Sequence, residues 1–179
     1  MKKLTLFISV LFAIGLQAQV AIGKTNVTNN SVSLEFATTE NRGLILPYVT
    51  DKSGIVAEGT IIYDATADHK VKYLKNNGTW VNLSEDDGTT ATIGTADLTI
   101  QGTGRTEKEL AKTVIGPNPS TDGTAGILVL TATNKAMILP KVASPHLNIY
   151  NPAAGLMVYD TTAKQLAVYN GKVWTFWKP

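Results

Sequence analysis

The side chains able to do chemistry in this 179-residue chain are few and scattered. There is no cysteine, and the two histidines, His69 and His146, stand at unrelated points with no partner at metal-ligand spacing. No Gly-x-Ser-x-Gly elbow offers a nucleophile, and no glycine-rich loop followed by Lys and Ser or Thr offers a phosphate cradle. Glu85-Asp86-Asp87-Gly88 has part of a calcium loop but lacks the alternate-position oxygens and the terminal bidentate glutamate, so it reads as a solvated acidic turn. Asp64 and Asp160 are the carboxylates a glycosidase pair would use. Each is followed two residues later by threonine at a matching place in the chain, which is what a repeated tight turn needs. The expectation is therefore no metal, no cofactor and no enzymatic activity.

Aromatic rings are the remaining chemistry. Tyr63, Tyr73 and Trp80 form one set, and Tyr159, Tyr169, Trp174, Phe176 and Trp177 a second. Rings on one sheet face stack on sugars or on another protein, but a small sheet also needs them as core volume. The repeated Tyr and Trp positions read as core, whereas Trp177 has no counterpart in the first set and reads as an exposed contact. Trp174, Trp177 and Tyr169 are the candidate ligand or partner contacts.

The elements that hold these rings are strands. Ser33 to Phe36 alternates polar and apolar, Gly59 to Tyr63 is a β-branched apolar run, and Val71 to Tyr73 alternates again. Ile127 to Leu130, Leu156 to Tyr159 and Leu166 to Tyr169 repeat the pattern. An offset of 93 lays Ile22-Gly23 on Ile115-Gly116 and Ile45-Leu46-Pro47 on Ile138-Leu139-Pro140; an offset of 96 then lays Gly59, Tyr63, Asp64 and Tyr73 on Gly155, Tyr159, Asp160 and Tyr169. Asn77-Gly78 before Trp80 and Asn170-Gly171 before Trp174 predict type I′ hairpin turns. The proline of each Ile-Leu-Pro suits a strand end or an edge.

The fold class expected is mainly β. Two duplicated antiparallel modules, residues 20–83 and 113–179, each end in a three-stranded meander and are joined by a Thr/Gly-rich linker over 84–112. Within the linker, Ala96 to Gln101 reads as one short strand, and Thr106 to Lys112 as helical turns with Thr106 and Glu109 at capping-box spacing.

Residues 1–19 read as a secretory signal peptide: Lys2 and Lys3, an apolar run from Leu4 to Leu16, and cleavage near Ala18. The run is shorter than the roughly 18 to 20 residues of a membrane-spanning helix. Removing Lys2 and Lys3 leaves equal numbers of acidic and basic groups with no basic cluster, so neither nucleic acid nor an anionic membrane is an expected partner. The expected address is outside the inner membrane: periplasm, outer surface or extracellular space.

Val20-Ala21-Ile22-Gly23, then Gly43-Leu44-Ile45-Leu46-Pro47, then Gly59-Thr60-Ile61-Ile62-Tyr63-Asp64 followed by Tyr73, Asn77-Gly78 and Trp80, resemble a module of exported Bacteroidota surface and fibrous proteins of unassigned function. The Gly-x-x-x-Tyr-Asp, Tyr-Asn-Gly and Trp elements also resemble pieces of phage tail fibres. That resemblance implies self-association up to an intertwined homotrimer, and it carries no catalytic residues. Asp160-Thr161-Thr162 resembles an O-glycosylation acceptor of such bacteria, which makes Thr161 the candidate site. The function expected is a secreted or surface-associated structural and interaction protein, an oligomeric fibre-like or adhesin component. The alternative is a carbohydrate-binding module using exposed rings.

Overall fold

The structure, a computed structural model, describes residues 19–101, 108 and 111–178. Of the expected leader, only Gln19 falls among them. The chain is mainly β, with short strands in four sheets among the described residues. Val20–Ile22 (β1) runs parallel to Val32–Phe36 (β2), with Val20 opposite Leu34 and Ile22 opposite Phe36. Alternation predicts one wet face for β2, yet Val32, Ser33, Leu34 and Glu35 are all buried. Glu35 tolerates burial because it is fully bonded. Lys24 Nζ lies 2.7 Å from its carboxylate, and the Thr28 amide and hydroxyl each donate to it at 2.6 Å.

Leu44–Ile45 (β3) and Tyr48–Val49 (β4) flank Pro47, and a meander follows in Ile61–Asp64 (β5), Lys70–Leu74 (β6) and Trp80–Asn82 (β7). The sheet order is β4-β5-β6-β7, with β4 parallel to β5 and the rest antiparallel. In the second half Thr113–Ile115 (β8) runs parallel to Leu128–Leu130 (β9). Ala136–Ile138 (β10), Lys141–Val142 (β11) and a helical turn at Pro145–Asn148 (α1) lead into Leu156–Asp160 (β12), Gln165–Tyr169 (β13) and Trp174–Trp177 (β14). The order β11-β12-β13-β14 has the same senses as β4 to β7.

Strands also cross between the halves. β3 pairs antiparallel with β12, Leu44 facing Met157 and Ile45 facing Leu156, while β10 lies parallel on β2. Each proline sits at a junction and uses its carbonyl: Pro47 accepts from the Tyr63 amide at 3.0 Å and Pro140 from Tyr159 at 2.9 Å. The core follows from this crossing. Leu46, Tyr63, Val71, Ala154, Met157 and Val168 form one buried cluster drawn from both meanders. The Tyr63 hydroxyl donates to Asn170 O at 2.9 Å and that of Tyr48 to Ala154 O at 3.0 Å. Gly155, at φ 73° and with room for a Cβ only 3.0 Å from that of Tyr63, lets the chain pass this close.

Three expectations are corrected. The strand expected over Ala96 to Gln101 is a 3-10 turn at Leu98–Gln101, because Asp97 Oδ1 accepts from the Thr99 amide at 3.0 Å and its hydroxyl at 2.7 Å and closes the chain locally. The Asn-Gly turns are not type I′. Asn76–Gly78 is a 3-10 turn with Gly78 at φ 71°, while Asn170 Oδ1 accepts from the Lys172 and Val173 amides and Gly171 takes φ 104°. Finally, the constant offset of 96 slips by one residue across the hairpins: β5 and β6 close as Asp64 opposite Lys70, β12 and β13 as Asp160 opposite Gln165. The first hairpin loop is one residue longer, so Tyr73 faces Ile61 whereas Tyr169 faces Leu156. The residues expected to form a capping box, Thr106 and Glu109, lie outside the described residues.

Candidate functional site

The last sheet positions the candidate rings. β14 alternates its side chains, so Trp174 and Phe176 share one face and Thr175 and Trp177 the other. On the outer face Tyr169 sits directly opposite Trp174, their rings 5.1 Å apart. Trp174 stacks with Phe176 at 6.3 Å, and His146 of α1 meets Phe176 edge-on at 5.6 Å. Trp174 also roots this row on Val142, Val158 and Ala167. The row therefore combines a half-buried base with Phe176, which is exposed.

Trp177 points the other way. Its indole N–H donates to Leu83 O at 2.5 Å, and Thr175 beside it accepts from the Glu85 amide at 2.8 Å. The three candidate contacts are thus divided: Tyr169 and Trp174 act together, and Trp177 ties β14 to the end of β7 while leaving 44% of its surface exposed. Phe176 and His146 complete the outer row. The spacing of Phe176 two residues after Trp174 on a strand is the signal for the first of these; nothing local marks the second. Of the rings expected as core, Tyr63 is fully buried, while Tyr73, Trp80, Tyr159, Tyr169 and Trp174 are half-buried.

The segment after β7 joins this face. The Ser84 hydroxyl is buried and accepts from the Val71 amide at 2.8 Å, Asn170 Nδ2 donates to Thr92 O at 2.9 Å, and Ala96 packs on the core. Gly94 passes so close to Asn170 that a Cβ would stand 1.6 Å from its carbonyl oxygen. Residues 84–96 accordingly form a strap across the two meanders, anchored at Ser84 and at 92–96, while 87–91 stay exposed.

Both candidate carboxylates are committed to their turns. Asp64 is buried and receives Lys52 at 2.6 Å, Lys72 at 3.1 Å, and the Thr66 amide and hydroxyl at 3.1 and 2.6 Å. Burial alone would raise its pKa, but these donors together hold it well below the usual carboxylate range. Lys72 is bonded in turn to Asp68. Asp160 repeats the arrangement with neutral donors: the Ser144, Thr162 and Ala163 amides and the Gln165 side chain outweigh its burial and lower its pKa. A carboxylate so saturated holds a turn and is a poor proton acceptor. Thr161, between Asp160 and Thr162, is exposed at the tip of the β12–β13 turn.

Among the described residues no three His, Cys, Asp or Glu side chains converge as a metal-ligand set, and no helix is long and apolar enough to cross a membrane. Several large apolar groups remain in solvent. Tyr150 is 98% exposed and Leu147 76%, both around α1, and Ile127, Leu128 and Phe176 are exposed as well. No curated protein and no solved structure matches the chain. Residues 113–178, from β8 through β14, match a family model described as phage tail like trimerisation region.

Proposed function

We propose that the chain is a structural subunit that self-associates as a trimer through its β modules, a fibre-like component and not an enzyme. The match of residues 113–178 to a trimerisation region carries this reading. The apolar exposure within those same residues supports it, since Leu147, Tyr150, Ile127 and Leu128 are the kind of surface that a second copy covers. The first half, with its matching sheet order and matching Asp-x-Thr turn, is in this reading a diverged copy of the same unit. The assembly is exported and works outside the inner membrane, presented at the surface or released, with Thr161 available for a glycan.

Chemical crosslinking of the mature chain, residues 19–179, at micromolar concentration tests the assembly. Denaturing gels are expected to show bands that end at three chains; a ladder running past three, or a single band, contradicts it.

A second reading rests on the outer row Tyr169, Trp174 and Phe176, whose stacked rings suit a sugar face. Phe176→Ala would then abolish glycan retention while leaving the crosslinked trimer unchanged.

A further inference from the structure

Among the described residues two strand edges are of one kind, and one of them is filled. In the second half Met157 and Leu156 lie beside Leu44 and Ile45 of β3, and the Leu46 amide donates to Gly155 O at 3.1 Å. The corresponding stretch of the first half is Gly59-Thr60-Ile61, at the head of β5. Among the described residues β5 pairs with β6 on one side, and on the other with β4 at Tyr63 and Asp64. Thr60 O accepts from the Leu74 amide at 2.8 Å and so faces β6, while the Tyr63 amide reaches Pro47 on the opposite side. Strand alternation turns the Ile61 N–H and C=O to that opposite side, two residues short of β4, where they meet no strand among the described residues. An edge of this sort is a template for another strand.

The matching donor is Ala136-Met137-Ile138-Leu139-Pro140, the counterpart of Gly43-Leu44-Ile45-Leu46-Pro47. In the single chain it lies as β10 on β2, in a parallel ladder of three pairs whose register breaks between Ala136 and Met137. A broken parallel ladder holds a strand less firmly than a regular antiparallel one.

We propose that β10 of one copy adds antiparallel to the open edge of β5 in the next, Met137 opposite Ile61, Ile138 opposite Thr60, and the Leu139 amide donating to Gly59 O. The partner is thus a second copy of this chain, held by a named strand. The proposal rests on the trimer reading and specifies its contact: donor and acceptor patches differ, so the contact is head-to-tail and closes when the third copy returns to the first.

The absence of native cysteine allows a direct test. Two differently tagged chains, one Thr60→Cys and the other Ile138→Cys, are co-expressed and oxidised, so that a disulfide between the two tags can form only between chains. Ile45→Cys with Leu156→Cys in one chain serves as the reference for the filled edge, and light scattering on each sample reports its mass. The expected result is a reducible heterodimer band carrying both tags, in a sample of trimer mass, at a yield within about threefold of the reference disulfide. A trimer lacking that band while the reference disulfide forms overturns the strand exchange and leaves the trimer standing. An inter-chain Ile45→Cys to Thr60→Cys disulfide also overturns it, because β3 would then be the donor. A monomer whose reference disulfide forms overturns the trimer reading and the exchange together.

Discussion

Glu35, Asp64 and Asp160 show how buried charge is accommodated by short local loops. The side-chain bonds from Lys24 and Thr28 bring Glu35 down from 4.5 to about 2, and Asp64 and Asp160 are lowered as well. A carboxylate lowered by folding contributes stability that is complete above its ordinary pKa and disappears as pH falls toward the folded value. The melting temperature is therefore expected to stay level from neutral pH to about pH 5 and to drop steeply below about pH 4, as thermal melts across pH would record. Asp64→Asn takes the counter-charge from Lys52 and leaves the buried Lys72 with Asp68 alone, and is expected to cost about 2 to 3 kcal/mol in urea unfolding. Asp64 and Asp160 are legible in sequence, because Asp-x-Thr is local turn chemistry. Glu35 is not, since its partners Lys24 and Thr28 lie in a loop whose path no periodicity describes.

The elements were legible where their cause is local. Alternation and β-branched runs locate the two meanders, and Asp-x-Thr marks the hairpin between their first two strands. Pairing across halves was not legible: nothing in Leu44-Ile45 states that its neighbour is Leu156-Met157 and not Thr60-Ile61. The strap over 84–96 is hidden in the sequence for a related reason. Its threonines and glycines look like linker composition, while Gly94 is there because Asn170 leaves no room for a side chain. Gly94→Ala is expected to destabilise by roughly 2 to 4 kcal/mol, through overpacking and a displaced strap, whereas Gly123→Ala, whose Cβ meets nothing within 4 Å, should stay within about 0.5 kcal/mol. Chemical denaturation of the two variants side by side checks this. Trp177→Ala removes the indole bond to Leu83 and is expected to lose about 1 to 2 kcal/mol, with faster amide exchange in β14.

A chain without disulfides has to draw its stability from burial, and its modules are small. The shared core around Tyr63 and Met157 supplies part of that burial within one chain, and in the proposed trimer association supplies the rest where Tyr150 and Leu147 stand in solvent. Mass action then requires the melting temperature to rise with protein concentration, which differential scanning calorimetry over a hundredfold range would record. Trimer formation is read most directly from the solution mass of residues 19–179 by light scattering on a sizing column. A trimer gives a single peak at three times the chain mass; a peak at one chain mass, unchanged across concentration, rules it out.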